Sequence, residues 1–546
     1  MNYDPAFVPY PSTRYPVYAR EGMVASSSPQ ASAAGLEALR QGGNAIDAAV
    51  AAAATLTVTE PSANGIGSDA FALVWSEGKL YGLNASGKAP LNTSIEKIKA
   101  DYGNTEIMPI YGWAPVMVPG APKAWAKLAE RFGKLPLKKS MEKAIHYARE
   151  GYPLTANLPG YFKRAGEIYK SQGKRIFDEW FKTFLPGSNA PSPGDMLVLE
   201  NHARTLEAIA ETKSDDFYSG DLARRIVEDS RELGGYFCME DFTSYDVEWV
   251  EPVSINYRGF DVWEIPPNGQ GIAALAALNI LREFEFTAGI NPNMENPNRE
   301  NPETFHIQWE AMKLAFSDVL AHVTDPLYMK EDYREWLSPE YGKKRAGEIG
   351  KRAALRSLLN PPGSGTVYLA TADGEGNMVS YIQSNYKGFG SGIVIRGTGI
   401  ALQNRGADFS LNPSAANSLA PGKKSYHTII PGFLTKDGKA LGPFGVMGGY
   451  MQPQGHVQVI TNMIDFNMNP QQALDAPRWL WQSGLTVDVE TGFKPEIAKA
   501  LIKKGHDVNV SLTTGNFGRG QIILRQENGV LIGATESRTD SLIACM

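Results

Sequence analysis

Residues 361–386 read PPGSGTVYLATADGEGNMVSYIQSNY, and the fold turns on how this stretch is parsed. From Thr366, TVYLATAD alternates apolar with small or polar side chains, GEGN supplies turn chemistry, and MVSYIQS returns as a second strand. The pattern predicts a hairpin whose first strand starts at Thr366, behind glycine-rich chain. A cut between Gly365 and Thr366 gives that strand a free α-amine next to a hydroxyl. A threonine hydroxyl alone is a poor nucleophile near neutral pH, and an adjacent N-terminal amine serves as its base. An ordinary α-amine, with a pKa of about 7.7 to 8.0, keeps an appreciable neutral fraction there. In the uncut chain the same hydroxyl is placed to attack the carbonyl of Gly365, shifting the peptide to an ester that water then opens. Gly363 and Gly365 permit backbone conformations that a side chain forbids. Taken alone, the stretch also reads as a glycine loop leading into a buried strand that merely begins with threonine, since Gly-Ser-Gly is common turn material.

The rest of the chain is long enough, at 546 residues, to bury a large core and to divide into more than one unit. With 43% hydrophobic and 21% charged residues it is an ordinary globular protein rather than a disordered one. The net charge of −6 leaves no basic footprint, which argues against nucleic acid as a partner. Cys238 and Cys545 stand apart from any CxxC or Cys/His cluster, so neither a disulfide framework nor a zinc site is expected. The start, MNYDPAFVPYPSTRYPVYAREG, lacks the apolar core of a secretory signal and is broken by four prolines, so a cytoplasmic location is expected. Ala45 to Val58, the most apolar run, contains Asp47 and falls short of the ~20 residues a spanning helix needs. It reads as a buried alanine-rich helix capped by Asn44, with Asp47 in its first turn, and no membrane role follows.

Further strands are expected around FALVW and LYGLN, in VSINYRGFDVWEI, and after Thr366 in GIVIRGTGIALQN, HTIIPGFLTKDGKALGPFGVM and QIILRQENGVLIGATE. Helices are expected in AWAKLAERFG, MEKAIHYAREG, GIAALAALNILREF, ETFHIQWEAMKLAFSDVLAHV, HVQVITNMIDF and KPEIAKALIKKG, with a surface loop at 291–301. Strand and helix blocks are segregated rather than strictly alternating. That favours an α+β fold of stacked antiparallel sheets flanked by helices over a parallel doubly wound sheet.

Several familiar motifs fail. GKKS at 422–425 lacks the upstream glycine of a phosphate loop and reads as solvated loop charge. GFGSG at 388–392 is neither GxGxxG nor GxSxG. The seven histidines are scattered without HExxH, and His306, on an apolar helix, reads as a packed side chain. No metal and no cofactor is implied for the chemistry.

GGNAIDAAVAAAATLTVTEPSANGIGSDAF at 42–71, VPGAPKAW, IPPNGQG, EAMKLAF, the GSGT junction, ALQNRGADFS, GVMGGYMQPQGH, ALDAPRW and GATESRTD follow one another along nearly the whole chain. In that order they resemble the gamma-glutamyltransferase (glutathione hydrolase) family of N-terminal-nucleophile hydrolases, nearest its cytoplasmic bacterial glutathione hydrolase-like branch. The resemblance implies a four-layer αββα sandwich, made as one precursor and cut into a 1–365 large subunit and a 366–546 small subunit that share one fold. Whether the processed heterodimer forms a homo-oligomer is left open. Thr366 would be the nucleophile for self-cleavage and for turnover, passing the acyl group of a small-molecule γ-glutamyl amide to water, an amino acid or a peptide. Gly448 and Gly449 match the glycine pair whose N–H groups receive the oxyanion. Asp408 matches the aspartate that holds the substrate α-amino group, and Asn385 lies one residue from the family's asparagine.

There are departures. Ser86 stands where secreted members carry a carboxylate-binding arginine, and a serine replaces neither its charge nor its two-pronged geometry. Arg405, three residues before Asp408, is expected to restore that charge. His427 and Thr428 stand near the family's paired serines, Val367 replaces a second threonine, and 410–424 is a short lid loop, which favours hydrolysis over transfer. Two alternatives stay open at this point: an acylase for another amide, of the cephalosporin side-chain or oxamate type, and an uncleaved, inactive binding homologue.

Overall fold

The computed structural model describes residues 14–187, 191–286, 299–356 and 365–546. Gly363 and most of the 291–301 loop lie outside the described residues; at the loop's end Arg299 is buried, its Nε donating to Asn462.

The hairpin expected at Thr366 is present: Gly365–Asp373 pairs antiparallel with Met378–Tyr386, with a register shift between Gly365 and Val367. Both strands are buried along their whole length, because they occupy the middle of a seven-stranded antiparallel sheet. Its order is Leu542–Cys545, Gly22–Ser26, Gly365–Asp373, Met378–Tyr386, Asp69–Ser76, Lys79–Ala85, Glu248–Val250. A second seven-stranded antiparallel sheet runs Val17–Ala19, Leu531–Thr535, Arg519–Arg525, Lys439–Met447, Gly432–Lys436, Phe260–Glu264, Val253–Tyr257. In both sheets, strands from before and after Thr366 are neighbours.

The two sheets face each other, with Phe71, Tyr368, Ile382, Phe433 and Ile523 in the layer between them. Helices Pro29–Arg40 and Ala45–Thr59 cover the outer face of the first sheet, and Gly271–Leu281 and Met451–Ile464 that of the second. This is the four-layer αββα sandwich expected, an α+β fold, and it explains why the central strands are buried along their whole length: one face meets the other sheet and the other meets helices. Asn44 caps Ala45–Thr59 as expected, accepting from the N–H groups of Ile46 and Asp47 while Asp47 accepts from Asn44 N.

Two local expectations fail. GIVIRGTGIALQN adds no ladder strand; Gly392, Gly397 and Gly399 all hold positive φ and turn the segment, leaving isolated bridges between Val394 and Ala401 and between Gly67 and Leu402. GKKS is not solvated: Lys423 Nζ donates to the carbonyls of Ala416 and Ser418, and Lys424 Nζ pairs with Glu248 at 2.6 Å. The region 158–243 is largely helical, beginning with Leu158–Gln172.

Candidate active site

On the Gly365–Asp373 strand, Tyr368 and Ala370 face the layer between the sheets while Val367 and Leu369 face the helices. Ser380 and Ile382 set the same parity on the partner strand, which brings Thr366 and Ser384 onto one face. Their hydroxyls lie 2.9 Å apart. Ser384 Oγ also donates to the carbonyl oxygen of Gly365 at 2.9 Å and accepts from Tyr386 N at 2.8 Å. A serine hydroxyl has one proton, and this one is committed to Gly365, so the Thr366 hydroxyl is the donor in the remaining contact. The resulting chain of bonds runs from Thr366 Oγ1–H to Ser384 Oγ–H to O=C of Gly365. Side chains are excluded at Gly365, where a Cβ would meet Ser62 O at 2.9 Å and Ala63 Cα at 3.1 Å.

A cleft of about 440 Å³ opens beside this point, lined by Gly365, Tyr386, Lys387, Gly448, Gly449 and Tyr450 among others. Thr366 itself is fully buried. Gly448 and Gly449 sit between the strand Lys439–Met447 and the helix Met451–Ile464, with φ of 140° and 62°. Their carbonyls accept from Met451 N and Gln452 N, and their own N–H groups donate to no described residue. Two free N–H groups at the start of a 14-residue helix form an anion-accepting corner. Gln270 Nε2 holds this corner by donating to Gly449 O at 2.7 Å and Thr428 O at 2.6 Å.

The remaining expected residues form a buried network behind the cleft wall. Arg405 Nη1 donates to Thr428 Oγ1 at 2.7 Å and lies 3.2 Å from Asp408 Oδ2, and the guanidinium stacks 4.0 Å from the Tyr386 ring. Asp408 Oδ1 accepts from the hydroxyls of Tyr386 at 2.6 Å and Tyr450 at 3.3 Å. Burial raises the Asp408 pKa, opposed by Arg405 and the Tyr386 hydrogen bond. Arg405 Nε and Nη2 have no hydrogen-bond partner among the described residues. These donors lie along one edge of the planar group, the geometry that grips a carboxylate side-on.

His427 Nε2 lies 3.0 Å from Asp69 Oδ2, and both side chains are buried. Burial drives the His427 pKa well below its ordinary value, with Arg405 and Lys424 acting the same way. Burial also raises Asp69 to about 7 against the opposing charge of Arg405 and the N–H of Gly87. Ser86 contacts neither Arg405 nor Asp408; its hydroxyl donates to Asn84 Oδ1 at 2.7 Å within an Asn84–Ser86–Asn268 cluster.

Asn385, like Ser86, lies apart from both the cleft and the Arg405–Asp408 network. Its Oδ1 accepts from Ser68 Oγ at 2.8 Å, and Tyr386 takes the cleft wall instead, because successive strand residues point to opposite faces. Tyr386 holds φ of 75°, a left-handed conformation uncommon for a bulky residue. Ser384, Tyr386, Tyr450 and Gln270 were not anticipated. Counting across the hairpin from Thr366 points to Ser384; no local signal marks Tyr450 or Gln270. One possible metal-holding group among the described residues, His306, Glu310 and His506, does not line the cleft, and Lys313 already occupies Glu310 at 2.8 Å.

A family model described as gamma-glutamyltranspeptidase matches residues 31–546. A glutathione hydrolase-like proenzyme of Bacillus subtilis is 36% identical over 95% of this chain and 97% of its own. An oxamate amidohydrolase proenzyme of Klebsiella pneumoniae is 33% identical over 96% and 98%. Among solved structures, a cephalosporin acylase from Bacillus halodurans superposes with a TM-score of 0.95 at 54% identity, covering 100% of this chain and 99% of that one.

Proposed function

The chain belongs to the gamma-glutamyltranspeptidase family, and from that premise we propose a self-cleaving threonine amidohydrolase and acyltransferase acting on γ-glutamyl amides such as glutathione. The observation that carries this reading is Ser384, bonded at once to the Thr366 hydroxyl and the Gly365 carbonyl. Thr366 Oγ1 attacks the carbonyl carbon of Gly365. Its proton passes to Ser384 Oγ while the Ser384 proton moves to the carbonyl oxygen. Collapse breaks the Gly365–Thr366 C–N bond, the nitrogen leaves protonated, and water opens the Gly365 ester. The products are a 1–365 large subunit and a 366–546 small subunit. Gly365 lines the cleft whereas Thr366 is buried, so the cut exposes the nucleophile to substrate.

In turnover the freed α-amine takes the Thr366 proton, and the hydroxyl attacks the γ-carbonyl. The oxyanion is received by the N–H groups of Gly448 and Gly449, where losing one such donor costs about 3 kcal/mol in comparable hydrolases. The amine leaves, and water or an acceptor amine takes the acyl group from the ester. The free edge of Arg405 supports its holding the substrate carboxylate, with Asp408 and Thr428 fixing the guanidinium. The test is fragment mass. Purified protein yields a fragment starting at Thr366, and Thr366→Ala gives one intact chain without amidase activity; fragmentation and full activity in that variant would refute the proposal, and an intact wild-type chain would favour the binding homologue.

One observation favours a second reading, an acylase for an amide whose acyl group carries no α-ammonium. Asp408 already accepts from Tyr386, Tyr450 and Arg405, leaving little capacity for a substrate ammonium. The names of the oxamate and cephalosporin relatives point the same way. Comparing γ-glutamyl amides with their desamino counterparts separates the two readings.

A further inference from the structure

The cleft carries more positive charge than its walls neutralise. Among the described residues Arg164, Lys387 and Arg519 line it, against a single acid, Glu60. Glu60 and Arg519 satisfy each other at 3.1 Å. Arg164 is exposed on the helix Leu158–Gln172, and neither it nor Lys387 forms an ion pair among the described residues. The acid that bears on Lys387 is Asp408, whose charge is matched by Arg405.

Lys387 is also the better anchored of the two. Its N–H donates to Asn404 Oδ1 at 3.0 Å, its carbonyl accepts from Gly390 N at 2.8 Å, and its ammonium lies 5.4 Å from the Tyr386 ring centroid. Burial lowers its pKa, the mark of an ammonium only partly hydrated. A partly desolvated ammonium on an anchored main chain, with no carboxylate paired to it among the described residues, is a preformed site for an anion.

Which half of the substrate carries that anion follows from the geometry. With Thr366 attacking and the oxyanion at Gly448 and Gly449, the acyl chain runs toward Arg405 and Asp408, behind Tyr386 and Tyr450. The amine half lies in the open cleft, through which it must depart and an acceptor must enter. The aromatic walls there, including Tyr111, Tyr161 and Tyr169, present apolar faces with polar tips.

We propose that Lys387, assisted by Arg164 at the rim, forms a carboxylate subsite for the amine half of the substrate, so that the leaving and accepting amines are carboxylate-bearing compounds such as amino acids, peptides or aminobenzoates. This rests on the reading of Thr366 as nucleophile. The test compares the γ-glutamyl amide of aniline with that of para-aminobenzoate, which differ only in a carboxylate on the amine half. The wild type should favour the carboxylated amide in kcat/KM, and Lys387→Met should cut that preference about tenfold through KM, with Lys387→Arg restoring it. Direct calorimetric binding of para-aminobenzoate against aniline gives the same comparison without turnover, so a protein that turns over neither amide still answers for the subsite. Loss of binding preference in Lys387→Met supports the subsite. Equal handling of the two compounds by the wild type, in both measurements, or a preference that survives Lys387→Met, overturns it.

Discussion

Ser384 stands 2.9 Å from Thr366, hydroxyl to hydroxyl, while giving its own proton to the carbonyl just upstream of that threonine. In the proposed self-cleavage the serine therefore acts on nucleophile and electrophile together. Ser384→Ala removes both contacts and leaves the geometry of the strand intact. Self-cleavage should slow by about 10²-fold, the cost of one donor to a developing oxyanion. A time course of fragment appearance on a denaturing gel checks this, with Ser384→Thr expected to cleave far faster than the alanine variant; equal rates for wild type and Ser384→Ala would remove Ser384 from the step.

Gln270 is buried and spends both amide hydrogens on the carbonyls of Gly449 and Thr428. Gln270→Ala strands two buried acceptors and loosens the corner proposed to receive the oxyanion. We expect kcat to fall by roughly 10- to 100-fold with KM little changed, and stability to drop by about 2 kcal/mol. A rise in KM at constant kcat would assign Gln270 to ground-state binding instead.

Arg405 tests the carboxylate assignment. Arg405→Ala should raise KM for a γ-glutamyl amide by about 10- to 100-fold. The matching 4-aminobutyryl amide, which lacks the α-carboxylate, should be affected far less. Equal effects on the two amides would mean that Arg405 serves only to hold Asp408 and Thr428.

The Asp69–His427 pair predicts a pH dependence of stability. The folded-state pKa of Asp69 is raised from 3.8 to about 7, so through that window the folded chain keeps a proton that the unfolded chain has released. The contribution is complete below 3.8, declines as pH rises, and is gone above about 7. Thermal melts from about pH 5 to about pH 8 should show this decline, and Asp69→Asn should flatten it by about 2 °C. An unchanged slope in the variant would show that another group governs it.

The readable parts of this molecule are those written locally. The hairpin at Thr366 declares itself by two-residue alternation around a turn, and the Asn44–Asp47 cap by its spacing. Arg405 and Asp408 meet because they are three residues apart on one short turn. Asp69 and His427 are 358 positions apart, and only the sheet stacking joins them. Tyr386 displaces Asn385 from the cleft wall, since strand parity decides which residue faces it. Lys423 and Lys424 looked solvated because charge marks a preference for water, whereas the surrounding loop offers them carbonyls and a carboxylate.

The C-terminal strand Leu542–Cys545 and the strand at Thr366 grip Gly22–Ser26 from opposite sides, and Phe260–Glu264 extends a sheet begun by residues beyond 431. The proposed nick after Gly365 would leave two pieces woven like fingers of clasped hands. Neither piece alone has a complete sheet to fold around, so assembly must precede scission. Separately produced halves, mixed afterwards, should fail to regain the native body that one continuous chain reaches before it is severed.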